Sequence, residues 1–146
     1  MSHRKQFFCG VVLCLAAVFL LMYFFPLHGD VRHTEHIIGA SERYSASQID
    51  AAFNTVEKYF IRNFSGCTLH SLCYDTRTEI GLAEQIAEQE AIYHQKAIVV
   101  RSNFTAGYIS PVNRKLGLTP GQCYEDWQWV LTCNDAGHWA VQAHGI

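Results

Sequence analysis

The segment YEDWQWVLTC-NDAG-HWAVQA, residues 124–143, decides the fold because it contains two alternating runs joined by a turn. Alternation of large apolar residues with polar ones is typical of a half-buried β-strand. Pairing Cys133 with Gly137 across a three-residue loop predicts an antiparallel hairpin, since glycine accepts the positive φ that such loops need. The residues predicted to share its apolar face are Trp127, Trp129, Leu131, Trp139, Val141 and Ala143.

Two helical patterns with N-terminal caps precede the hairpin. Ser47 and Asp50 match a capping pattern, and apolar residues then recur every three or four positions to a predicted helix end near Asn63. Thr76 and Glu79 match a second capping box and predict a shorter helix. The apolar stripe of the first helix consists of Ile49, Ala52, Phe53, Val56, Phe60 and Phe64.

Two further strands are predicted at residues 67–74 and 96–104, the second being rich in β-branched residues. Residues 107–121 contain two prolines and three glycines and are predicted to form a loop. The predicted element order is helix, strand, helix, strand, strand, strand. The sequence therefore predicts an α+β domain in which the long helix packs in a curved, mostly antiparallel sheet. The residues predicted to be buried at this contact are Phe53, Phe60, Trp129 and Val141.

An uninterrupted apolar run occupies residues 7–25, with Arg4 and Lys5 before it. The run approaches the roughly 20 residues that cross a bilayer, and the preceding charges predict a cytoplasmic N-terminus with the rest exported. A cleaved signal peptide is the alternative, but its apolar core is usually about 7–15 residues long. We therefore predict a cytoplasmic N-terminus with a transmembrane helix (1–26), a linker (27–44) and an exported α+β domain (45–146), making a single-pass protein of the cytoplasmic membrane.

The chain beyond residue 26 is mildly acidic. Setting Arg4 and Lys5 aside leaves nine of the eleven basic residues against thirteen acidic ones, a net charge of −4 with histidine neutral. Nucleic-acid-binding domains usually carry a concentrated basic patch, and the sequence contains none. Nucleic acid is therefore excluded as a predicted partner.

The element order, closed by a tryptophan-rich hairpin, resembles the nuclear-transport-factor-2-like fold, in which a curved sheet wraps around helices to form a cone. The chain is also similar to a family of uncharacterised exported domains of Gram-positive gut bacteria, which often have tryptophan at the position of Cys73 and a Gly/Ser/Asn-rich loop at 107–121. The resemblance implies a cone fold but no particular activity. The segments that carry it are 59–69 with Tyr74 and Asp75, 97–100 with Asn103 and Phe104, and 124–131 with Trp139.

Histidines at metal-ligand spacing occur once, at His33 and His36. Their HTEH pattern is one residue short of the H-x-x-E-H pattern of zinc proteases and lies in the predicted linker. We therefore predict no metal site and no cofactor. His138 and His144 are predicted to point away from the Trp139 face, toward solvent.

His70, Tyr74 and Asp75 are the clustered candidates for a general base, because they lie near one strand end. No second acid or oxyanion donor accompanies them in the sequence, and an aspartate directly before Thr76 is typical of a turn or helix cap. We therefore predict no catalytic residue, and catalysis is disfavoured.

Four cysteines follow the predicted linker. In extended strands Cys67 and Cys73 are roughly 20 Å apart, and Cys123 and Cys133 roughly 33 Å. A disulfide requires Cα atoms within about 7 Å. Neither local pair is therefore predicted to bond; the alternatives are a bridge between the first strand and the hairpin, or four free thiols.

The sequence as a whole predicts a membrane-anchored extracytoplasmic domain that binds a partner protein or a small apolar ligand without catalysis. The alternative is a cone-fold isomerase or dehydratase that uses a pocket aspartate or histidine as its base. A deep closed pocket with a buried carboxylate would favour the enzyme. A filled cone with an exposed apolar patch would favour the binding domain. The identity of the ligand and the oligomeric state stay open.

Overall fold

The computed structural model describes residues 3–24 and 28–145, with side chains described for residues 10–21 and from residue 28 onward. Five strands form one sheet in the order β1-β2-β3-β4-β5, with β1 parallel to β2 and every other neighbouring pair antiparallel. The elements are α1 (His3–Phe24), β1 (Glu35–Ile38), α2 (Ala46–Asn63), β2 (Thr68–Tyr74), α3 (Thr76–Gly81), α4 (Ala83–Tyr93), β3 (Lys96–Thr105), α5 (Pro111–Leu116), β4 (Cys123–Cys133) and β5 (Trp139–Gly145).

The predicted membrane anchor requires correction. Within the described part of the chain, no helix is both long enough and apolar enough to cross a membrane. The ends of the predicted run, 7–9 and 22–25, lie outside the described side chains. On this finding the predicted transmembrane helix and the single-pass location in the cytoplasmic membrane are wrong, and the predicted placement outside the cytoplasm loses the helix on which it rested.

The predicted linker contains the edge strand β1. Backbone hydrogen bonds attach the segment before it to the start of β2, with Asp30 N donating to Cys67 O (2.9 Å) and Leu69 N donating to Asp30 O (2.8 Å). β1 then continues in parallel register, with Glu35 opposite Ser71. Its four residues show no alternation of apolar and polar side chains, so the sequence pattern did not indicate a strand.

The predicted loop at 107–121 contains the short helix α5. Ser110 caps its start by accepting a hydrogen bond from Val112 N, Pro111 occupies the first turn, and Gly117 ends it at φ 68°. Proline at the start and glycine past the end are the usual asymmetry of a helix. The same residues that indicated a loop are therefore helix boundaries.

The two helix starts differ from the predicted capping boxes, although Asp75 has the cap role that its position before Thr76 indicated. Ser45 caps α2 in a reciprocal capping box with Gln48, two residues before the predicted Ser47. Asp75 caps α3 by accepting a hydrogen bond from Thr78 N at 2.9 Å. A break at Leu82 then separates α3 from α4, so the second predicted helix is two helices.

The hairpin is paired two residues away from the predicted register. Cys133 lies opposite Trp139, and the turn is closed by Asn134 N donating to His138 O at 3.1 Å. A shift of two preserves the faces near the turn: Leu131, opposite Trp139 in the predicted register, lies opposite Val141 in the structure.

A β-bulge in β5 then changes which residues face inward. The register shifts between Val130, which lies opposite Ala143, and Leu131, which lies opposite Val141. One extra residue in a strand reverses the alternation beyond it. His144 therefore lies opposite Trp129, whereas Ala143 is exposed. The predicted solvent-facing orientation of His144 is wrong for this reason.

The core lies between α2 and the sheet face that α2 covers, called the inner face below. Phe60, Phe64, Phe104, Trp127 and Trp129 meet there with ring centroids 4.7–6.4 Å apart. The indole N–H of Trp129 donates to Ser102 Oγ at 2.7 Å. Of the residues predicted to be buried, Phe53, Phe60 and Trp129 are buried and Val141 is partly buried.

The substitution Trp129→Ala is expected to lower the free energy of unfolding by about 3–5 kcal/mol, because it empties the centre of the aromatic core. It also leaves Ser102 Oγ without its indole donor. Urea denaturation of the full chain measures the change. Ile80→Ala is the control, since Ile80 is 74% exposed and a surface change should stay within about 0.5 kcal/mol. A loss below about 1 kcal/mol for Trp129→Ala would show that this core is loosely packed.

Candidate functional site

The inner face is filled by side chains at its centre. Phe60, Phe64 and Trp129 are fully buried and in mutual ring contact. A substrate pocket between helix and sheet would need this volume. The centre of the inner face is therefore occupied by protein side chains.

The structure does not bring the three predicted base candidates together. Asp75 is the cap of α3, and hydrogen bonds from Thr78 lower the pKa of its carboxyl. Tyr74 faces the core, where burial and the charge of Glu79 raise its pKa. His70 is exposed on β2, with Nε2 2.7 Å from Thr105 Oγ1. Each of the three residues thus has a structural position of its own: a helix cap, a core side chain and an exposed strand residue.

His36, a predicted metal candidate, connects β1 to α2. Its Nδ1 lies 3.2 Å from Asp50 Oδ1 and its Nε2 lies 2.8 Å from Glu57 Oε1. The ring also packs edge-on against Phe53 at 5.1 Å. Both ring nitrogens are therefore engaged. Among the described residues no three His, Cys, Asp or Glu side chains are arranged to hold a metal ion.

The five cysteines whose side chains are described, Cys14, Cys67, Cys73, Cys123 and Cys133, are free thiols. Cys67 is buried at the start of β2, and burial raises the pKa of its thiol. Cys73 lies on β2 near Arg101 and Asp75, with a pKa also raised mainly by burial. A raised pKa keeps a thiol protonated and makes it a weak nucleophile.

The candidate site is the groove between α2 and β5, called the α2–β5 groove, with a volume of about 420 Å³. Its helix wall includes Lys58, Tyr59 and Arg62, which lie next to one another because residues three and four apart share a helix face. Its strand wall includes Trp139 and Val141, which alternate onto one face of β5. Tyr59, Trp139 and Val141 together form an apolar floor, and Lys58 and Arg62 form a polar rim beside it. An apolar surface with a few polar groups is the usual composition of a ligand site.

The rim of the α2–β5 groove carries only positive charge. Lys58 and Arg62 are exposed and one helical turn apart, and neither forms an ion pair with any described residue. No aspartate or glutamate lines the groove. The whole chain has a formal charge of −2, so this is a local reversal of sign. A cleft lined by one sign of charge attracts ligands of the opposite sign.

The His144 ring packs against Tyr59, a floor residue of the groove, from the core side. Its ring lies among aromatic rings of the core, with centroids 5.2 Å from Trp129, 5.3 Å from Phe64 and 5.6 Å from Tyr59. The Tyr59 hydroxyl lies 3.4 Å from His144 Nε2, and the buried Nδ1 has no hydrogen-bond partner among the described residues. Burial lowers the pKa of His144. Sequence reasoning missed this residue because the bulge that turns it inward leaves no local signal.

A larger cleft of about 870 Å³ lies beside the β4–β5 turn. Arg43 on its wall forms an ion pair with Glu90 at 2.6 Å, and Tyr44 donates its hydroxyl hydrogen to Ala97 O at 2.8 Å. Arg43 and Tyr44 are thus already engaged, and the lining of this cleft mixes acidic with basic residues, whereas the charged residues that line the α2–β5 groove are both cationic. We therefore regard the smaller groove as the better candidate.

No family model, curated protein or solved structure matches this chain. The resemblance to the nuclear-transport-factor-2-like fold therefore stays a prediction. The assignment of the site rests on its geometry and charge.

The buried position of His144 predicts a pH-dependent stability. Its pKa is lower in the folded chain than the ordinary value of 6.5, so the unfolded chain binds the proton more readily. Stability is therefore lost as the pH falls below about 6.5, while above that value both states are neutral and this residue adds no pH dependence. Urea midpoints at about pH 7.5 and about pH 5.5 measure the loss, which should be smaller in His144→Phe than in the wild type.

The control for this measurement is His70→Phe, because His70 is exposed. It should keep the wild-type loss between the two pH values. Equal losses in all three proteins would contradict the assignment of the acid sensitivity to His144.

Proposed function

We propose that this chain is a non-catalytic binding domain and that the α2–β5 groove binds an apolar ligand or partner segment that carries negative charge. The observation that carries the proposal is the pairing of an apolar floor with two unpaired cations. Tyr59, Trp139 and Val141 form the floor, and Lys58 and Arg62 border it. Apolar burial would supply affinity, and the cations would select anionic ligands.

Two features support binding over catalysis. General acid–base catalysis requires a titratable group within hydrogen-bond reach of a bound substrate. His138 lines the groove but is exposed beside the β4–β5 turn, with no carboxylate among the lining residues to orient its ring. His144 does not line the groove and packs against Tyr59 in the aromatic core. Asp75 is occupied as a helix cap. We therefore rank a cone-fold isomerase or dehydratase as the second candidate.

The cone-fold relationship is part of the same proposal. A long helix packed on a mixed sheet, closed by a tryptophan-rich hairpin, accords with the nuclear-transport-factor-2-like fold. In that reading the aromatic residues on the inner face occupy the interior of the cone. A ligand would then bind in the α2–β5 groove, at the edge of the sheet, instead of inside the cone.

A titration with 4-phenylbutyrate tests the proposal, because this probe joins an apolar ring to a carboxylate. In the full chain labelled with ¹⁵N at its tryptophan indoles, the three Trp127, Trp129 and Trp139 signals can be followed directly. We expect the Trp139 signal to move and saturate, while that of the fully buried Trp129 stays in place. The double variant Lys58→Glu/Arg62→Glu should weaken binding about tenfold or more, which corresponds to about 1.4 kcal/mol.

The matched control reverses two cations elsewhere. Arg114 and Lys115 are exposed on α5, so Arg114→Glu/Lys115→Glu makes the same change in net charge away from the groove. It should bind the probe as the wild type does. No saturable Trp139 shift, or equal weakening in both double variants, would refute the groove as the binding site.

A further inference from the structure

One long edge of the sheet is free. β5 is the last strand in the sheet order, and within the described chain it pairs with β4 alone. Every second N–H and C=O group of an edge strand points away from its neighbour and is available to another strand. The groove side of this edge remains open, since Trp139 and Val141 are only partly buried.

β5 lacks the proline and the charged side chains that often protect an edge strand, and its bulge at Gln142 lies beyond the run that starts at Trp139. Residues 139–145 contain no proline and no lysine, arginine, aspartate or glutamate. The opposite edge, β1, has four residues, among them Glu35 and His36, and the latter is held by two carboxylates. Short length and charged side chains are common protections against edge pairing. The two edges of this sheet therefore differ in their readiness to accept a strand.

The free edge and the cationic rim adjoin each other. Trp139 and Val141 belong both to β5 and to the wall of the groove, while Lys58 and Arg62 form the facing rim. A strand added beside β5 would lie about 4.8 Å from it, with alternate side chains on the groove side. The bulge at Gln142, whose amide donates to Thr132 Oγ1 at 2.8 Å, limits regular pairing to the run that starts at Trp139. The site therefore suits a short extended segment.

We propose that the α2–β5 groove binds an extended acidic peptide, which adds to β5 as a sixth strand and directs alternate carboxylates toward Lys58 and Arg62. This inference rests on the proposed binding function and specifies its ligand. Backbone hydrogen bonds to β5 would supply affinity that does not depend on sequence, and the two cations would supply specificity for acidic side chains.

The test uses a blocked hexapeptide of alternating glutamate and valine, added to the full chain with ¹⁵N-labelled indoles. We expect a saturable shift of the Trp139 signal. A peptide with lysine in place of glutamate should bind about tenfold more weakly or worse. The variant Lys58→Glu/Arg62→Glu should reverse this preference, whereas Arg114→Glu/Lys115→Glu should retain it.

N-methylation distinguishes strand addition from simple occupancy. Methyl groups on alternate backbone nitrogens remove the N–H donors from one edge of the peptide. One of the two alternate sets should weaken binding about tenfold or more, and the other should leave it nearly unchanged, because only one edge faces β5. Equal affinities of the two methylated peptides would overturn strand addition.

The remaining outcomes separate this inference from the proposed function. If phenylbutyrate binds and the peptide does not, the peptide inference fails and the binding site stands. If neither binds, both fail. Light scattering that shows a dimer dissociated by the peptide would assign the free edge to a second copy of the chain, and would overturn the peptide as its natural occupant.

Discussion

The packing of the aromatic stripe of α2 onto the inner face is the contact on which the rest of the structure depends. Phe60 and Phe64 are stacked at 4.7 Å, and both rings meet Trp129. Because a dense core permits few alternative arrangements, this contact determines how α2 is rotated about its axis. The residues flanking the stripe, Tyr59 among them, are thereby directed toward β5. The groove is a consequence of core packing.

That rotation also separates the charges of α2. Asp50 and Glu57 are directed toward His36 on β1, where they engage both ring nitrogens. Lys58 and Arg62 are left beside β5 with no acidic neighbour in the groove. A mildly acidic protein thus presents a purely cationic groove, since the acids of the same helix are engaged on its other side. This segregation is the physical basis for an anionic ligand.

The bulge in β5 determines what lies beneath the groove. By turning His144 inward it places a polar ring inside an aromatic cluster, and the lack of a partner for Nδ1 has an energetic cost. Tyr59 packs against the same ring and so connects the floor of the groove to the core. The bulge also limits the regular edge of β5 to the part that adjoins the groove. One inserted residue therefore shapes the floor and the free edge together.

The sequence by itself determined the elements with strong local periodicity: the apolar stripe of α2, the strand at 96–104 and the tryptophan hairpin, together with the burial of Phe60 and Trp129. Local periodicity suffices there because each element buries one face. The tertiary structure alone decided the strand in the predicted linker, the inward turn of His144 and the placement of Arg62 and Trp139 on the two walls of one groove. These depend on parallel pairing, a bulge and helix rotation, which are set by contacts between distant residues. The apolar run at 7–25 is a local pattern whose prediction was wrong, because no spanning helix was found within the described residues.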